Sequence, residues 1–79
     1  MPRYFFHVLD GSGLRDHDGT DLSDQKDARV QAVRMAGAMI KDDAKSFLVT
    51  QEWHMDVADE ADLVLFSLHF RVTSRSASQ

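Results

Sequence analysis

Period-two alternation at both ends of the chain brackets a single stretch of helical periodicity, and this arrangement limits the fold more than any other feature. Tyr4 to Leu9 is almost wholly β-branched, aromatic or aliphatic, with Tyr4, Phe6 and Val8 on one face and Phe5, His7 and Leu9 on the other. Asp10-Gly11-Ser12-Gly13 offers the positive-φ residues of a hairpin, so Leu14–His17 is predicted as a short, polar return strand. Asp18-Gly19 then turns the chain again. Trp53, Met55 and Val57 alternate with His54 and Asp56. Beyond Asp59-Glu60-Ala61-Asp62, the residues Val64, Phe66, Leu68, Phe70 and Val72 alternate with Leu65, Ser67, His69 and Arg71, which makes a second hairpin.

Between the hairpins, Ser23 or Asp24 can cap a helix whose first turn carries Asp27, and the periodicity runs to about Ala44. At about 100° per residue, Ala28, Ala32, Val33, Met35, Ala36, Met39 and Ile40 fall on the side predicted to be buried. Three alanines there imply a close approach to a sheet whose bulk comes from the strands. The predicted fold is therefore α+β, ββαββ: an antiparallel sheet of two hairpins with one amphipathic helix on one face. Residues 1–73 are expected to form one domain and the Ser-rich residues 74–79 a disordered tail, with the path of residues 46–51 open.

At 79 residues there is room for one small core, and with no cysteine it must be held by packing alone. The absence of cysteine removes disulfides, thiolate metal sites and thiol nucleophiles, and it fits a reducing cytoplasm. A net charge of −4 repels phosphate backbones, so no nucleic-acid partner is expected. The opening apolar run is broken by His7 and Asp10, too short for a signal peptide or a membrane span, so a cytoplasmic location without membrane contact is expected.

The run Met1-Pro2-Arg3-Tyr4-Phe5-Phe6-His7, then Asp10-Gly11, Arg15-Asp16 and Asp18-Gly19-Thr20-Asp21-Leu22 before an alanine-bearing helix, resembles a family of small proteins of unknown function common in rhizobia and related alphaproteobacteria. Trp53–Asp59 and Leu63–Phe70 look like that family's closing hairpin, whose turn would be expected to hold a glycine near Ala61-Asp62. The resemblance implies a fold and supplies no catalytic residues or cofactor.

Several chemistries can be weighed on the residues themselves. Asp16-His17-Asp18-Gly19-Thr20-Asp21 resembles the middle of a calcium loop, but aligning Gly19 puts Leu14 at the first ligand position and Gln25 where a bidentate Glu is required. A turn in which Asp18 bonds nearby backbone N–H groups is the better reading. His7, His54, Asp56 and His69 all fall on the face opposite the core and form the candidate metal or small-ligand site. A turn on Glu60-Ala61 would oppose His54 to Ser67 and leave the two histidines diagonal. Removal of Met1 would expose a Pro2 amine of the kind N-terminal-proline tautomerases use as a base, but Gly11, Gly13 and Gly19 interpose a hairpin and a turn before the helix.

The remaining argument concerns cover. A helix is about 10–12 Å across, whereas four strands at about 4.8 Å spacing span about 19 Å. If Tyr4, Phe6, Phe66 and Phe70 face the helix, then Phe5, Leu9, Leu63 and Leu65 face away from it, and such an apolar cluster marks an interface. The function expected from sequence is a non-enzymatic protein-interaction or assembly module, homodimeric or bound to a protein partner through those four residues. The alternatives are the outer-face ligand site and a tautomerase-like enzyme.

Overall fold

The computed structural model describes residues 2–9, 13–42, 44–45 and 52–72. The elements are β1 (Arg3–Leu9), β2 (Thr20–Asp21), α1 (Gln25–Asp42), β3 (Glu52–Ala58) and β4 (Val64–Arg71). Together they form a four-stranded antiparallel sheet of order β2-β1-β3-β4 with the helix on one face, the predicted fold class. Residues 46–51, whose path the sequence leaves open, and the expected tail at 74–79 lie outside the described residues.

Alternation places the core as the sequence implies. Tyr4, Phe6 and Val8 of β1, Trp53, Met55 and Val57 of β3, and Ala28, Ala32 and Ala36 of α1 make one buried cluster, with Met35, Met39, Ile40, Phe66 and Leu68 packed at its margin. Asp24 caps the helix: its Oδ1 accepts the Asp27 N–H at 2.9 Å, and Ser23 Oγ donates to the Asp27 carboxylate. The helix ends at Asp42, two residues short of the expected Ala44.

Val33 does not join the core but is 62% exposed. The strip that touches the sheet is centred on Ala28, Ala32 and Ala36. These side chains bring the axis so close to the strands that the contact is narrow, and Val33, about 100° round from Ala32, falls outside it.

The second strand also differs from expectation. Leu14 makes one isolated bridge with Val8, donating and accepting at 2.7 and 2.9 Å, but Leu14–His17 is not a strand. Backbone pairing resumes only at Thr20 and Asp21, opposite Tyr4 and Arg3. Residues 15–19 thus face the shorter stretch 5–7, and this excess bows outward through Gly19 at φ +72°. A Cβ on Gly19 would lie 2.8 Å from Arg3 Cγ and 2.9 Å from Phe5 Cε2, so both the backbone angle and the space require glycine.

In the second hairpin, Asp59 N–H donates to the Leu63 carbonyl and Asp62 N–H to the Asp59 carbonyl, both at 3.0 Å. Asp59 Oδ1 accepts the Ala61 and Leu63 N–H groups. Asp62, at φ 65°, takes the left-handed position where a glycine was expected, a conformation that aspartate tolerates. This longer turn, with an irregularity at Val57/Ala58, shifts the register so that His54 opposes His69 directly and Asp56 opposes Ser67.

Gly19→Ala is expected to lower stability by about 1–3 kcal/mol, the usual cost of forcing a side chain into such a conformation. Urea denaturation monitored by Trp53 fluorescence would measure it; an unchanged midpoint would show that the bow does not need its glycine.

Candidate functional site

The edge of β1 beside the bow is held by one carboxylate. Asp16 Oδ2 accepts the Phe6 N–H at 3.1 Å, standing where a neighbouring strand's carbonyl would be, and Oδ1 accepts the N–H groups of Asp18 and Gly19, each at 3.1 Å. The residue that closes the turn is therefore Asp16, where Asp18 was expected. Asp16-His17-Asp18-Gly19 is an Asx-type sequence, and that signal could have identified it. Burial alone would raise the Asp16 pKa, but the backbone N–H groups of Gly19, Phe6 and Asp18 hold it below the usual carboxylate range.

His7 lies behind this loop and is buried, at 8% exposure. Its Nδ1 accepts the Asp16 N–H at 3.1 Å, so the neutral ring carries its proton on Nε2. That Nε2–H is sealed and has no partner among the described residues. Neither nitrogen then offers a lone pair to an ion, which separates His7 from the other members of the expected ligand set.

Those other members do meet. The His54 and His69 rings stack with centroids 5.1 Å apart, His54 Nε2 is 3.6 Å from Asp56 Oδ1, and Ser67 Oγ donates to the same oxygen at 2.6 Å. Among the described residues, no three His, Asp or Glu side chains are grouped to hold a metal ion. A cleft of about 320 Å³ nearby is lined by Phe5, His7, Arg15, His17, Asp59 and Glu60. Three of the carboxylates around it serve structure: Asp16 holds the loop, Asp59 closes the hairpin turn, and Asp62 takes Arg15 at 3.0 Å, clasping the loop to that turn. Pro2 is exposed, and its carbonyl accepts the Leu22 N–H at 3.0 Å, which ties the first strand to the approach to α1.

The four residues of the expected interface are divided. Leu63 is 62% and Leu9 38% exposed, Phe5 is half-buried and stacks on His7, and Leu65 packs against the core cluster. Leu65 sits beside the register shift, which is why it does not stay with the outer set. The outer face between them is polar: His7, Asp56 and Ser67 form one row across the strands, and Glu52 with Arg71 closes an ion pair at 2.8 Å.

A larger apolar surface lies on the helix side. A groove of about 300 Å³ runs between α1 and β4, lined by Val33, Gly37, Ile40, Trp53, Leu68 and Phe70. It continues through Val33 into a shallow depression between Arg29, Val30 and Arg34. Val30 is 48% exposed, Phe70 41% and Val72 43%. The sequence reading missed this surface by assigning Val33 to the core. The four-residue spacing of Ala28, Ala32 and Ala36 was the available signal that the buried strip is narrow.

Acid should test the loop staple. Because the folded Asp16 carboxyl titrates below the unfolded value of about 3.9, the unfolded chain holds more protons in that interval. The contribution is complete above that value and is lost as pH falls through the folded one. The wild type is expected to lose more stability between about pH 5 and about pH 2 than Asp16→Asn does. Asp16→Ala should cost about 1–2 kcal/mol at neutral pH, toward the lower end for charge-assisted bonds because the site is partly exposed. Parallel slopes of stability against pH for the wild type and Asp16→Asn would remove the carboxylate from this role.

Residues 3–71 match the model of a family described as Domain of unknown function (DUF6894). No curated protein and no solved structure matches the chain. Among the described residues, no helix is long and apolar enough to cross a membrane.

Proposed function

We propose that this chain, which belongs to the DUF6894 family, is a non-enzymatic protein-interaction module whose working surface is the groove between α1 and β4. The observation that carries the reading is the exposure of Val33, 62%, at the junction of two apolar depressions. In so small a domain, apolar surface left open in a continuous strip is the usual mark of an interface. The polar groups of the cleft and the outer face, by contrast, are largely engaged in holding the loop, the turn and the strands.

A second reading is a homodimer through Phe5, Leu9, Leu63 and Leu65, favoured by the 62% exposure of Leu63 just before β4. Both readings place the protein in the cytoplasm, supported by the lack of cysteine, and in rhizobia or related alphaproteobacteria, supported by the likeness of the opening motif.

Photo-crosslinking in living cells separates the two. A photoreactive residue in place of Val33 is expected to give discrete protein adducts, while one in place of Leu63 or His54 gives none. An adduct of twice the chain mass from position 63, with nothing from position 33, would favour the homodimer. No adduct from either position would sink the module reading altogether.

A further inference from the structure

The groove is flanked by an uneven distribution of charge. The chain as a whole carries −4, yet Lys26, Arg29, Arg34 and Lys41 all project from α1 and are exposed. At 100° per residue these four cations fall with Val30, Val33 and Gly37 in one arc of roughly 140°, and that arc contains no carboxylate. Elsewhere in the fold arginines are neutralised: Arg3 by Asp21 at 3.2 Å, Arg15 by Asp62 at 3.0 Å and Arg71 by Glu52 at 2.8 Å. Among the described residues none of the four helix cations has an ion-pair partner. Arg29 lies over the Phe66 ring, 4.8 Å from its centroid, which fixes one cation at the rim of the groove.

Gly37 points the same way. It stands inside the helix, where glycine is unfavourable relative to alanine, and a Cβ there would meet nothing within 4 Å. The chain's own packing therefore does not call for glycine at this position, and its bare backbone leaves part of the groove floor low and open to an approaching side chain.

Resting on the reading of the groove as an interaction surface, we infer that its partner is an acidic amphipathic protein segment. Its apolar side chains would enter beside Val30, Val33 and Gly37, and its carboxylates would meet Arg34, Lys26 and Lys41 at the rim. Charge complementarity selects this class. The apolar residues line a concave groove rather than a protruding face that could enter a bilayer, and the net negative charge of the chain opposes a long phosphate backbone. A short acidic segment can pair with the basic arc along α1 alone.

The test uses the full chain and a synthetic helical peptide with Leu at core spacing and Glu at the remaining positions. Its controls are the same peptide with Lys for Glu, a single-stranded DNA oligonucleotide, and vesicles containing phosphatidylserine. The Glu peptide is expected to bind, to shift the amide resonances of Val30, Val33 and Gly37, and to weaken as salt rises, while the Lys peptide does not bind. The double variant Lys26→Glu/Arg34→Glu, at exposed positions with no ion-pair partner among the described residues, should weaken binding at least tenfold with an unchanged circular dichroism spectrum. Gly37→Leu should fill the groove and abolish binding without loss of helix.

Equal binding of the two peptides, or binding of neither, overturns the inference, as does preferential binding of DNA or vesicles. A concentration-dependent dimer dissociated by Val33→Glu would place a second copy in the groove and overturn it equally. Adducts at position 33 in cells without Glu-peptide binding would leave the module reading intact and remove only the acidic partner.

Discussion

The fold depends on how the chain deals with the free edge of β1, and it does so with one carboxylate. Between the Leu14 bridge and the Thr20 pair there is more chain than a strand can use, and Asp16 takes up the excess by accepting three backbone N–H groups. An edge N–H that would otherwise face water or another molecule is thereby satisfied from within. The same residue's N–H engages His7, so the ring is drawn under the loop and held as one tautomer. The bow, the buried imidazole and the Arg15–Asp62 clasp to the far hairpin turn all follow from this local arrangement.

The helix sets the second constraint. Because its contact strip is built from alanine, α1 lies close on the sheet and bulk must come from Tyr4, Phe6, Trp53 and Met55 below it. A close helix covers a narrow band. Exposed apolar side chains therefore remain along the helix's own side, beside β4. The reverse of the sheet is supplied largely with polar side chains that bond to one another across the strands.

Charge follows the same division. Carboxylates at the turns and the bow accept backbone N–H groups or pair with arginine, and the helix keeps cations that have no ion-pair partner among the described residues. The net charge of −4 is thus an average over two unlike surfaces, which composition alone does not resolve.

Sequence alone determined β1, α1, β3 and β4 and the inward faces of β1 and β3. Period-two alternation names the inward residues of β1 and β3, and period 3.6 with an Asp24 cap names the helix, because these patterns depend only on local geometry. Tertiary structure decided register and depth. Whether His54 meets His69 depends on the length of a turn closed by Asp59 and Asp62, and whether Val33 is core or surface depends on how near the alanines let the helix come. The carboxylate of Asp16 could equally have served a local turn or an ion. Only the approach of β1 gave it the Phe6 N–H, because that hydrogen bond joins residues ten apart whose meeting no local pattern specifies.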